Sequence, residues 1–174
     1  MTRFNKLKTA ILIVIMGCPV KTSSQYVYSE VAVKAAYIMN IMKFVEFEKG
    51  QETLELCIVG DDLLGLSAAK IQNESDAFNN IKITKKAINS SYKSCNVIYI
   101  SKAQIDDVKT ILYKADSVEA LTISDIENFS ENRGMIELVT QDNKVNFTIN
   151  KSNIERVNIK ISAKIYQMTK QIYQ

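Results

Sequence analysis

Three short runs, Leu54–Val59 (LELCIV), Val97–Ile100 (VIYI) and residues 120–124 (ALTIS), are apolar nearly throughout. Runs this short and this apolar read as strands buried on both faces. Residues 63–71 and 104–114 lie between them and carry helical spacing. Strands that alternate with helices build a mainly parallel sheet covered on both sides. The expected class is therefore α/β: a three-layer sandwich with a mixed, mainly parallel sheet flanked by helices.

Other segments fit around this frame. Ser29 is a candidate cap for a helix running to about Phe47, because Val31, Ala35, Ile38, Met39, Met42 and Val45 recur at three- and four-residue steps. Residues 81–86 alternate apolar and charged, as a half-exposed strand does. After Gly134 the rhythm changes. Residues 135–140 and 145–149 alternate on either side of Asp142-Asn143, which predicts an antiparallel hairpin, since Asp and Asn tolerate the positive φ of a tight turn. Ser152 opens a helical turn, and residues 162–173 predict a final amphipathic helix. Its apolar residues Ile165, Tyr166, Ile172 and Tyr173 suit either core or interface, with core favoured because such a helix must bury one face. No internal repeat or long linker divides residues 29–174, so one domain is expected there.

The N-terminus has a different character. A basic start containing Arg3, Lys6 and Lys8 precedes the apolar stretch TAILIVIMG, the layout of a secretory signal peptide over residues 1–17. The apolar block is too short to span a bilayer comfortably. Residues 15–18 (IMGC) resemble a bacterial lipoprotein box, which makes Cys18 a candidate for lipidation. The alternative is cleavage further on, near residues 22–24. Residues 18–28 read as a polar tether. The whole chain has a net charge of +3, but residues 1–17 hold three of its basic residues and no acid. Residues 18–174 carry 19 basic and 19 acidic residues. No Lys/Arg run with interleaved aromatics remains to track a phosphate backbone, so no nucleic-acid partner is expected.

The residues also limit the chemistry. There is no His, which removes Ser-His-Asp and Cys-His catalysis and any His-ligated metal. Residues 60–65 (GDDLLG) sit where a phosphate loop would, yet lack the GxGxxG and GxxxxGK[ST] spacings, and their two acids would repel a phosphate. Asp61 or Asp62 is better suited to capping the next helix. Asp61 and Asp125 both fall at C-terminal strand ends, where α/β folds place ligands. Asp106-Asp107 and Glu46/Glu48 read as solvated faces or caps. Gly60, Asp61, Asp62, Ser124 and Asp125 therefore form the candidate ligand pocket; no catalytic set, metal site or cofactor is expected. Cys57 and Cys95 lie at two predicted strands, 38 positions apart and outside any CxxC motif. In an exported domain they suit a structural disulfide, or else two buried thiols on different faces.

Several segments together resemble the YfiR-like family of periplasmic proteins. Residues 33–46 (VKAAYIMNIMKFVE) are similar to the family's opening helix, "KAAFLYNFAKFVEWP". Residues 56–65 (LCIVGDDLLG) resemble "LCVLGDDPFG", residues 95–101 (CNVIYIS) resemble "CHVLFIS", and residues 121–125 (LTISD) resemble "LTVSD". Residues 133–136, 145–150 and 159–164 match "GGMI", "VRFEIN" and "LKISSKL" in order. This chain departs from the pattern in lacking Trp-Pro after the first helix, in Arg133 and Asn158 at positions where Gly is common, and in lacking a second Cys pair near the hairpin. The resemblance implies that Cys57 and Cys95 are the family's bridge. It also implies a regulator rather than an enzyme: one that binds and represses the periplasmic sensor region of an inner-membrane diguanylate cyclase, lowering cyclic di-GMP and biofilm formation. A homodimer is compatible with the family. The alternative is a periplasmic small-ligand-binding module of similar fold.

Overall fold

The computed structural model describes residues 23–47, 52–157 and 159–174, with side chains from residue 30 onward. The expected signal peptide, the candidate lipidation residue Cys18 and Asn158 lie outside the described residues. Helix α1 spans Ser23–Met42, followed by β1 (Val45–Glu46), β2 (Leu54–Val59), α2 (Asp62–Asn73) and β3 (Ile81–Lys85). Then come β4 (Val97–Ile100), a 3-10 turn at Lys102–Asp107, α3 (Val108–Asp116) and β5 (Leu121–Ser124). The hairpin strands are β6 (Ile136–Gln141) and β7 (Lys144–Asn150). The chain continues through α4 (Lys151–Glu155), β8 (Lys160–Ile161), α5 (Ala163–Met168) and β9 (Gln171–Tyr173).

The main sheet has the order β3-β2-β4-β5-β6-β7-β9. Strands β3 to β6 in that order are mutually parallel; β7 returns antiparallel to β6, and β9 pairs parallel with β7. Alternation along each strand decides the layers. Leu56 and Ile58, Val97 and Tyr99, and Leu121 and Ile123 pack on one face with Ala35, Ile38, Met39 and Met42 of α1 and Leu64 and Ala68 of α2. Cys57 and Val59, and Ile98 and Ile100, pack on the other face against Ile111, Leu112 and Ala115 of α3. This is the expected mainly parallel, three-layer α/β architecture.

The hairpin turn is built as its residues predict: Asp142 and Asn143 have φ of 49° and 60°, the left-handed pair that suits the twist of a tight hairpin. Arg133 has φ of 73°. Its guanidinium and that of Arg156 grip the two carboxylate oxygens of Asp116 at 3.1 and 3.0 Å. Gly134 is held to its small size by Phe129, whose ring would lie 2.2 Å from any Cβ placed there.

The helix expected over residues 104–114 is a 3-10 turn up to Asp107 and α-helix only from Val108, and three other boundaries differ more from expectation. The first helix begins at Ser23, inside the stretch read as a tether, and Ser29 is not its cap. No Pro or Gly follows Pro19 in that stretch, so nothing stops the helix from extending backwards. It ends at Met42 rather than Phe47, because Val45 and Glu46 leave it to pair antiparallel with Ile161 and Lys160. The final helix is only α5. Beyond it Thr169 is extended (φ −75°, ψ 147°), its hydroxyl donates to Phe147 O at 2.9 Å, and the Lys170 N–H donates to the same oxygen at 2.8 Å. The open edge of β7 then takes Gln171–Tyr173 as a strand, and the β-prone Ile172 and Tyr173 suit it. Ile165 is core, whereas Ile172 stands 41% exposed on the sheet edge.

Candidate functional site

Strand β2 is flanked by β3 on one side and β4 on the other, so the winding reverses between β2 and β4. Open α/β sheets of this order place ligands at the C-terminal ends of the strands beside such a reversal. Gly60 leaves β2 with φ of +86°, and a Cβ there would sit 2.5 Å from Cγ of Gln104. That contact presses the turn after β4 against the loop after β2.

The expected pocket residues divide by their partners. Asp61 caps α2, its Oδ1 accepting the Leu64 N–H at 3.0 Å. Asp62 pairs with Lys85 of β3 at 2.6 Å. The Ser124 hydroxyl donates to Ile100 O at 2.6 Å and accepts the Ile126 N–H at 3.0 Å. These three hold strand ends and helix starts in place. Asp125 differs: it lines a cavity of about 310 Å³ with Glu30, Lys34, Lys102, Glu127 and Thr140, and Gly60, Asp61 and Asp62 do not line it. Of the expected pocket residues, Asp125 is the one that lines this cavity.

Around Asp125 is an ionic network that the sequence pattern does not reveal. Lys34 of α1 is 6% exposed, and its ammonium reaches Asp125 Oδ2 and Glu30 Oε1, both at 2.8 Å. The Lys102 N–H donates to Asp125 Oδ1 at 2.8 Å, and the Thr140 hydroxyl donates to Glu30 Oε1 at 2.8 Å. One cation thus ties α1 to the end of β5 and, through Glu30, to the hairpin. Burial acts to raise the Asp125 pKa, but the Lys34 hydrogen bond and charge outweigh it and hold the carboxyl below its ordinary range. Burial acts to lower Lys34, and the hydrogen bonds to Asp125 and Glu30 reverse that too. Glu30 is lowered chiefly by its hydrogen bond to Lys34. Tyr99, beneath this network, has a buried hydroxyl with no well-formed hydrogen bond, and burial together with the Asp125 charge pushes its pKa up. The one available signal is the i, i+4 spacing of Glu30 and Lys34 within an otherwise apolar helix.

Cys57 and Cys95 form a disulfide, with an S–S distance of 1.95 Å and Cα atoms 5.7 Å apart. It staples the middle of β2 to the residues entering β4, two neighbouring strands at the reversal. Glu55 lies nearby, its carboxylate 3.6 Å from Lys82 and 3.7 Å from Lys86. Among the described residues no cluster of His, Cys, Asp and Glu could hold a metal, and no helix is long and apolar enough to cross a membrane.

Residues 31–170 match the model of a family described as YfiR/HmsC-like. No functionally curated protein matches the chain. Among solved structures, a conserved domain protein from Vibrio cholerae O1 biovar El Tor superposes with a TM-score of 0.60 at 12% identity, over 82% of this chain and 60% of that one. An ABC domain from Streptococcus pneumoniae, in complex with L-Trp, superposes with a TM-score of 0.54 at 11% identity, again over 82% of this chain and 60% of that one. The chain spans about 60% of the length of each of these two structures, and they share its fold.

Proposed function

The chain belongs to the YfiR/HmsC-like family, and on that premise we propose that it is an exported regulator that binds the periplasmic region of an inner-membrane diguanylate cyclase and represses it. The family match over residues 31–170 carries this reading. The Cys57–Cys95 bridge supports it, since a disulfide suits an oxidising compartment. In this reading residues 1–17 direct export, the remaining domain acts as one unit, and Cys18, if lipidated, tethers it to a membrane. Repression requires no catalysis. It requires only that the regulator bind the inactive cyclase more tightly than the active one. Deleting the gene is expected to raise cellular cyclic di-GMP and surface attachment; unchanged levels of both would sink the proposal.

The cavity beside Asp125 favours a second reading, a module that binds a small polar ligand at the strand ends. It is compatible with the first, because a ligand there would bear on α1 through Lys34. The neighbour in complex with L-Trp makes amino acids sensible first probes. A rise in melting temperature with a free amino acid, lost in Lys102→Glu, would support this reading, and no shift across a panel of small metabolites would count against it.

A further inference from the structure

We infer that the partner docks on a surface formed by the start of α2 and the 3-10 turn after β4, and that it meets this chain with an apolar centre and a basic rim. This inference rests on the repressor reading above. Leu63 and Leu66 are 50% and 69% exposed, and Ile105 is 57% exposed. Leu63 and Leu66 are three residues apart on α2, hence on one helix face. Ile105 follows Gln104, the residue that packs against Gly60 at the foot of α2. The Ser101 N–H, donating to Val59 O at 3.0 Å, extends the β2–β4 ladder to the start of the turn. Three large apolar side chains thus stand in water on two segments that meet at the Gly60–Gln104 contact.

The charges around them have one dominant sign. Asp106 and Asp107 lie on the turn and Asp61 and Asp62 at the start of α2, where Asp61 caps the helix and Asp62 pairs with Lys85; Lys102 is the one basic residue of the two segments. Asp107 precedes α3 but makes no side-chain cap hydrogen bond, so its carboxylate is not committed to the helix. An apolar centre with a charged rim is the ordinary anatomy of a protein interface. Here the rim is acidic, and its complement is a surface bearing lysine or arginine.

The test uses the full-length chain in cells. The double variant Leu66→Asp/Ile105→Asp changes only exposed positions, and Asp106→Lys/Asp107→Lys changes one exposed and one half-buried position at the rim. Tyr113→Asp, at a residue 77% exposed on α3, is the control. Each variant is first shown to be folded by its melting curve. Both surface variants are expected to lose repression, with cyclic di-GMP rising to the level of the deletion strain, while the control represses normally. A photo-crosslinking residue at position 66 or 105 should give an adduct with an epitope-tagged cyclase, and one at position 113 should not. Full repression by both folded surface variants would overturn the docking surface while leaving the deletion result, and so the repressor reading, intact. An adduct with a second copy of this chain alone would overturn it as well. If the deletion itself leaves cyclic di-GMP unchanged, the repressor reading falls and takes this surface with it.

Discussion

Replacing Cys57 and Cys95 together with alanine is expected to lower the melting temperature by about 10 °C. The bridge closes a loop of 38 residues, and constraining the unfolded chain to that extent is worth about 4 kcal/mol in the chain-entropy model. For a domain of this size each kcal/mol shifts the midpoint by about 2–4 °C. Both cysteines are buried, so the alanines also leave unfilled space between the sheet and α3. The same burial shields the bridge from soluble thiols while the domain is folded, and a Glu55 carboxylate oxygen 3.8 Å from Cys57 Sγ would oppose a thiolate at that position. Reductant should therefore act slowly on the native protein and quickly on the unfolded one. Thermal melts of the oxidised wild type and the double variant decide the first point; midpoints within about 2 °C of each other would contradict it.

Lys34→Met should be the most damaging single change on α1. It leaves Asp125, with a nearly buried side chain, and Glu30 without their shared cation. Breaking one side of a buried ion pair typically costs about 3–5 kcal/mol, because the remaining charge is stranded. The companion variant Lys34→Met/Asp125→Asn removes that stranded charge and is expected to recover much of the loss. A double-mutant cycle by denaturant unfolding measures the coupling. The sign of the pH effect comes from the same groups. Asp125 and Glu30 have folded pKa values below their ordinary ones, so they bind protons less readily in the folded state than in the unfolded. Their stabilisation is complete above the usual carboxylate range, about pH 4, and is lost as the pH falls below it. Lys34 is raised, so its share is present at neutral pH and disappears only as the pH climbs beyond the ordinary lysine value of about 10.4. Lys34→Met should flatten the acid limb, and an acid profile identical to wild type would contradict the network.

The parts of the fold legible in the sequence are legible for physical reasons. Strands buried on both faces announce themselves as continuous apolar runs, as β2, β4 and β5 do. The Asp-Asn turn is visible because few residue pairs accept positive φ twice. Strand β9 is not visible. Its residues suit a helix face equally well, and only the open edge of β7, a partner distant in sequence, selects the extended form. The same holds for the site. Asp125 is suggested by its place at a strand end, but its meaning depends on Lys34, 91 positions earlier. A lysine beside an apolar stripe ordinarily points to water. Here it is drawn inward by two carboxylates, one of them delivered by the fold from the far side of the sequence. Residues 60–62, grouped with Asp125 by the same rule, are occupied instead by capping, a surface ion pair and a tight loop contact.

The central claim, repression by direct binding, is tested most directly with the cyclase itself. The purified, disulfide-intact protein is titrated onto the full-length cyclase in lipid nanodiscs, and synthesis of cyclic di-GMP from GTP is measured. The repressor account predicts a saturable fall in the rate, with a midpoint that matches the affinity measured by binding in the same preparation. A rate that stays constant throughout the titration would contradict it.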